Sequence, residues 1–346
     1  LLTFLRNGVS FVKPEGPLGP SLLLGGRRGD GGMRKGKKER QADLKIGLAL
    51  GSGSARGWSH IGVIKALEEE GVPIHLCAGT SMGALVAGVF AAGFIESLER
   101  WVRGLTWPDI LGYLDVTLPR AGLIEGDRLT NYLRERMTDP AIEDLPIPFA
   151  AVAAELNTGR EVWLQRGSLM NAVRASISMP GILTPYGKNG TWLVDGGLVN
   201  PVPVSLCRHL GADIVIAVNL NSDIMGRRFL TREDRAGKSE VTMPRRLANL
   251  INGRIKARQV TLFRRFIQER PERGPSLIQV MAKSVYIMQD QITRQRLASH
   301  PPDILITPHL AHIGLLEFNR AEESIEEGYR AAKLSMPLLK DLLGSR

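Results

Sequence analysis

The sequence predicts an α/β fold, a mainly parallel sheet with helices laid over it, and three observations carry that expectation. Two strand–turn–helix units follow one another within about 50 residues, over 44–94, the local signature of parallel strands joined by crossover helices. A helix over 202–210 and a strongly β-branched strand over 213–220 repeat the alternation later in the chain. The composition, 43% hydrophobic and 23% charged over 346 residues, is that of a globular chain, and the length suits one large domain or two modest ones.

The elements follow in order. Residues 44–50 read as a short buried strand running into Gly51-Ser52-Gly53-Ser54-Ala55-Arg56-Gly57. His60, Ile61, Ile64, Ala66 and Leu67 set the period of the next helix, and Gly71 is placed to end it. A second strand is expected over 73–78, then the turn Gly79-Thr80-Ser81-Met82-Gly83, then a buried helix of small residues over 84–94. Residues 127–137 read as helix and 148–156 as strand, with Asn157-Thr158-Gly159-Arg160 turning a hairpin into 161–165. Ser168 caps a helix running to Ser176. A strand over 191–194 ends at Asp195-Gly196-Gly197, a late strand spans 303–307, and a closing helix spans 320–334.

Composition excludes several classes. Cys77 and Cys207 are the only cysteines, so there is no disulfide framework and no zinc site built on several thiolates, and a reducing compartment fits. The longest apolar stretch, 82–95, has 14 residues, short of the ~18–20 that span a bilayer. Arg6 and Asn7 interrupt the apolar start before a secretory h-region can form. Met33 reads as a natural start, and residues 1–32 as an extension set aside from the fold.

The formal net charge of +10 is uneven: residues 1–45 carry +6, residues 226–275 carry +9, and the rest is mildly acidic. Within the second basic block, Leu247, Leu250, Ile251, Ile255, Leu262, Phe263 and Phe266 recur at roughly helical spacing among arginines. Such a helix either packs its apolar stripe on the body or lies on an anionic membrane surface. No zinc finger, RNA-recognition signature or aromatic-interleaved basic patch accompanies it, so a nucleic-acid partner is not expected.

Three segments fall where an α/β sheet puts its chemistry, at the carboxyl ends of strands. Gly79-Thr80-Ser81-Met82-Gly83 is a G-x-S-x-G at a strand-to-helix turn. A nucleophilic serine needs such a tight turn, and flanking glycines remove Cβ atoms that would clash. The alternative is a serine that only caps the following helix. The Gly51–Gly57 loop gathers backbone N–H groups at a helix start, lacks the spacing of a phosphate-binding fingerprint, and suits an oxyanion hole or a plain close-packed turn. Asp195-Gly196-Gly197 offers a carboxylate that two glycines leave unobstructed, or simply a turn. Met82, Leu85, Met179, Ile182 and Leu183 fit the wall of an acyl channel and equally an ordinary core.

Together and in this order, the glycine-rich loop with Arg56-Gly57, Gly-Thr-Ser81-Met-Gly and Asp195-Gly-Gly resemble the patatin-like phospholipase family. Over about residues 44–221 the likeness is to its bacterial branch related to the catalytic domain of neuropathy target esterase, and Ala311-His312-Ile313-Gly314 also looks like that branch. The resemblance implies a three-layer α/β/α fold and a serine acyl-ester hydrolase of phospholipase or lysophospholipase type. It implies Ser81 as nucleophile, Asp195 as base, and the loop residues Gly53, Ser54, Ala55 and Arg56 as the oxyanion hole. Gly79 and Gly83 would shape the nucleophile elbow, and Gly196 and Gly197 the Asp-Gly-Gly turn. No metal or organic cofactor is implied. Family members often carry three or four consecutive glycines where this chain has Ser52 and Ser54, a tolerable change because backbone N–H groups are the donors.

The expected organisation is a disordered basic leader over 1–43, a catalytic core over 44–221, a basic, partly helical insertion over 222–275, and C-terminal helices with a late strand over 276–346. The expected partners are phospholipid, lysophospholipid or another acyl ester, with membrane contact through 227–266, and the expected location is cytoplasmic, peripheral to the inner face of the membrane. Two other functions fit: a lipid- or partner-binding regulator with weak catalysis, and an α/β-hydrolase whose Ser81 and Asp195 are completed by His309 or His312. His60 reads as a structural histidine bonding a backbone carbonyl.

Overall fold

The computed structural model describes residues 11–12, 44–113, 125–137, 139–188, 190–223 and 277–345. Among these, the strands are β1 (Phe11–Val12), β2 (Ile46–Leu50), β3 (Leu76–Thr80), β4 (Phe149–Glu155), β5 (Glu161–Leu164), β6 (Tyr186–Lys188), β7 (Thr191–Asp195), β8 (Ile214–Val218) and β9 (Ile304–Ile306). They form one sheet in the order β1-β5-β4-β3-β2-β8-β9, with β7 also on β4 and β6 on β7. The run β4-β3-β2-β8-β9 is parallel throughout, and the remaining pairings are antiparallel. The described helices are α1 (Ser59–Glu69), α2 (Met82–Ala91), α3 (Ile95–Arg103), α4 (Trp107–Tyr113), α5 (Asp127–Met137), α6 (Leu169–Ser176), α7 (Val204–His209), α8 (Leu277–Ser299) and α9 (Ala321–Ser345).

The central strands are apolar on both faces because both are covered. Successive side chains alternate sides: Ile46, Leu48 and Leu50 of β2 join one core with Ile214, Ile216 and Val218 of β8, where α1, α2, α6 and α9 pack. Ala49, Ala78, Val215 and Ala217 face the other way, onto Val204, Leu206 and Cys207 of α7. The result is the expected three-layer α/β/α arrangement.

Most sequence boundaries hold to within a few residues. The strand expected over 73–78 lies at Leu76–Thr80 instead, since Pro73 has no N–H for the ladder and β3 stays paired with β2 as far as Gly79 and with β4 as far as Thr80. The next helix starts at Met82 rather than at residue 84. The closing helix runs on through Pro337 to Ser345, with Met336 and Leu339 buried. The sequence assigned no bounds to α3, α4, α8 or β6. Phe11–Val12 falls inside the stretch expected as a leader and pairs antiparallel with β5. The rest of residues 1–43 and the helix expected within 247–266 lie outside the described residues.

Candidate active site

The site begins at β4, which has three partners. Its residues Phe149 to Val152 pair with β3, and Ala151 to Ala154 pair with β5 on the opposite edge. Ala153 to Glu155 pair with β7, and since β5 holds the far edge there, β7 must share the edge of β3. β3 runs parallel to β4 and β7 antiparallel, so their carboxyl ends meet. Thr80 stands opposite Val152, and Asp195 stands opposite Ala153. The chain leaves β3 at Ser81, directly in front of Asp195.

Ser81 turns out of the sheet with φ 57° and ψ −125°, a left-handed backbone that costs a residue with a Cβ ~1–3 kcal/mol and is stored where surrounding structure enforces it. The two flanking glycines have no room for a side chain. A Cβ on Gly79 would run into the backbone of Gly83 and Ala84, and one on Gly83 would strike the Leu50 and Gly51 carbonyls. Ser81 occupies the N-cap of α2 without a side-chain capping bond. Its hydroxyl instead donates to Asp195 Oδ2 at 2.6 Å.

Asp195 is 2% exposed. Its Oδ1 accepts from Gly197 N at 2.7 Å, so the Asp-Gly-Gly turn satisfies one oxygen and leaves the other to the serine. Burial pushes the carboxyl up from its ordinary 3.8 to about 6, against the opposing pull of the bonds from Ser81 and Gly197. The segment after it is tied to its neighbours: Thr80 Oγ1 donates to Asn200 O at 2.8 Å and Ser52 N to Pro201 O at 2.8 Å.

The glycine-rich loop leaves β2, the strand beside β3, as expected. Four of its amides are committed. Gly51 N donates to Val218 O, Ser52 N to Pro201 O, Ala55 N to Leu315 O and Arg56 N to Gly53 O. Among the described residues, the amides of Gly53 and Ser54 have no such acceptor. Arg56, 2% exposed, also donates Nε to Gly53 O at 3.2 Å. In a trans peptide the carbonyl and the following N–H point in opposite directions, so holding Gly53 O toward Arg56 turns the Ser54 N–H away from it. Ser54 has φ 51°, the backbone a glycine adopts freely, and its hydroxyl is anchored to Leu315 O at 2.7 Å.

An apolar cavity opens on Ser81. Met82, Leu85, Met179, Ile182 and Leu183, the five residues expected to fit an acyl channel or a core, all line it, with Trp58, Trp101, Leu105 and Phe318. The aromatic and leucine part of this wall carries no sequence signature, because the turn before α1, the end of α3 with the residues after it, and the segment before α9 meet only in the folded chain. Also unforeseen are Ser176, the last residue of the capped helix α6, and Ser178 just beyond it: Ser81 N donates to Ser176 Oγ at 2.9 Å and Asp195 N to Ser178 O at 2.9 Å. Arg174 Nη1 holds Ser178 Oγ at 2.7 Å.

The late histidines lie elsewhere. His309 is exposed, and His312 Nε2 pairs with Glu323 Oε1 at 2.6 Å. His60 is fully buried, and its Nε2 donates to Gly51 O at 2.8 Å. Burial holds it down at about 4, so it is neutral near pH 7 and braces the loop entry.

The profile of the patatin-like phospholipase family matches residues 48–208. An uncharacterised NTE family protein of Mycobacterium tuberculosis is 36% identical over 322 residues, covering 82% of this chain and 89% of the relative. Human patatin-like phospholipase domain-containing protein 6 is 36% identical over 184 residues, 51% of this chain and 13% of that one. The crystal structure of VipD from Legionella pneumophila has a TM-score of 0.49 and 16% identity, covering 87% of this chain and 67% of that one. With a relative of that identity matched over most of its length, and with the family's own segment spanning both Ser81 and Asp195, the chain belongs to the patatin-like phospholipase family, among its NTE proteins.

Proposed function

We propose that this protein is a serine acyl-ester hydrolase acting on lipid esters, with Ser81 as nucleophile and Asp195 as its only base. One observation carries the reading: a 2.6 Å hydrogen bond from the Ser81 hydroxyl to a buried carboxylate at the end of an apolar cavity. Asp195 takes the Ser81 proton as the oxygen attacks the ester carbonyl. A carboxylate raised to about 6 is ionised near pH 7 yet far more basic than an exposed aspartate, as a general base requires. The Gly53 and Ser54 amides receive the oxyanion, a kind of donor whose loss costs ~10²–10³ in rate. The alcohol leaves with the proton held by Asp195. Water then attacks the acyl-serine while Asp195 removes its proton, and that proton passes to the Ser81 oxygen as its bond to the acyl carbon breaks and the fatty acid leaves.

The wall of Leu85, Ile182, Leu183 and Phe318 suits one fatty-acyl chain, which favours phospholipids or lysophospholipids over small polar esters. We assign the basic 227–266 segment to the anionic surface from which such substrates come, on the cytoplasmic side. No helix among the described residues is long and apolar enough to cross a membrane. Incubation with a defined lysophospholipid and phospholipid mixture tests the reading by mass spectrometry. Released fatty acid that disappears in Ser81→Ala supports it, and intact lipids with a folded wild-type protein would reject it.

A further inference from the structure

We infer that Ser176 is the positioning residue of the nucleophile elbow: its hydroxyl is spliced into the β3–β4 ladder at the point where Ser81 leaves the sheet. The inference rests on the Ser81–Asp195 reading above and concerns how that pair is held.

In a parallel pair the inter-strand bonds recur every second residue. The pairing of β3 with β4 opens with Cys77 N donating to Pro148 O at 2.9 Å. Two repeats on, the same pattern would join Ser81 N to Val152 O. That bond is replaced by a relay. Ser81 N donates to Ser176 Oγ at 2.9 Å, and Ser176 Oγ donates to Val152 O at 2.6 Å. One oxygen atom therefore lengthens the rung, and Ser81 can swing away from β4 into its left-handed backbone with its amide still satisfied.

A hydroxyl accepts and donates through one atom at this size, where a thiol does both only weakly. Ser176 is fully buried, and both of its hydrogen bonds go to backbone next to the dyad. Two residues on, Ser178 O accepts Asp195 N. The short segment 176–178 thus holds the backbone of the nucleophile through one residue and that of the base through the other, and sets their separation. Without the hydroxyl, Ser81 N and Val152 O either stay unpaired or close on each other. Either outcome moves Oγ relative to Asp195.

The test uses the full chain and an alkyl fluorophosphonate, with saturation kinetics that separate probe binding from the labelling rate constant, repeated across pH. Wild-type protein must be modified at Ser81; if it is not, the hydrolase reading fails and this inference with it. Given that labelling, Ser176→Ala is expected to lower the rate constant roughly 10–100-fold with probe binding unchanged, the scale of an ångström-level misplacement. The acid limb should also move to higher pH, because Asp195 loses the Ser81 bond that lowers its pKa. Ser176→Thr, which keeps the hydroxyl, should recover most of the rate. Wild-type kinetics in Ser176→Ala, or equal losses in the Ala and Thr variants, would overturn the inference. If Ser176→Ala does not fold, Ser176→Cys, a weak donor of similar size, takes its place: slowed labelling upholds the relay and a wild-type rate refutes it.

Discussion

Thr80 and Asp195 stand on successive rungs of one edge of β4, although their strands run in opposite directions and lie more than a hundred residues apart. That end-to-end meeting brings a hydroxyl and a carboxylate into direct hydrogen-bond contact with no imidazole between them. Each side is then braced separately, the serine by Ser176 and the aspartate by Gly197 and Ser178.

The dyad makes opposite demands on activity and stability. Asp195→Asn should lower ester turnover by on the order of 10⁴, since the amide cannot take a proton. The same variant should be more stable than wild type at pH 7. The folded protein holds the Asp195 proton up to about 6, against 3.8 ordinarily, so stability is lost as pH rises from about 4 through 6, by up to about 3 kcal/mol. Thermal melts at pH 7 and pH 4 check this: the advantage of Asn should be present at the first and largely gone at the second.

A pH–rate profile reports the same group. kcat/KM for a short-chain p-nitrophenyl ester should rise with a midpoint of about 6, the value for Asp195, and then stay level to at least pH 8. A limb near the ordinary carboxylate value would contradict the buried-base assignment.

Histidine variants separate the dyad from a triad. His309→Ala and His312→Ala change residues that face Glu327 and Glu323 on the surface, and both should retain turnover within about twofold. A loss of three orders of magnitude in either would mean that imidazole takes part.

The cavity wall sets chain length. Leu183→Trp fills space beside Gly126 and Ile182, so kcat/KM for decanoyl and longer esters should fall roughly tenfold or more. Acetyl and butyryl esters, which need little of the cavity, should be hydrolysed as before. Parallel assays over a chain-length series decide it.

Loop strain gives a further check. Ser54→Gly relaxes a φ of 51° but releases the anchor to Leu315 O, and the amide proposed to receive the oxyanion remains. Turnover should fall less than tenfold, well short of the ~10²–10³ expected for a lost oxyanion donor, as steady-state assays would show.

The sequence by itself determined the two βα units, the capped helix at Ser168, the G-x-S-x-G turn and the Asp-Gly-Gly turn, because each is written in neighbouring residues: period, caps and glycines. It also put Ser81 and Asp195 at strand ends. Tertiary structure alone decided that those ends face each other, since this follows from β3 and β7 sharing an edge of β4. It alone decided which loop amides are free, because Leu315 O and Pro201 O arrive from distant segments. Ser176 shows the limit most clearly. A serine in the last turn of a helix has no chemical signature, and its part in the site comes from the Val152 carbonyl and Ser81 amide that folding places on either side of it.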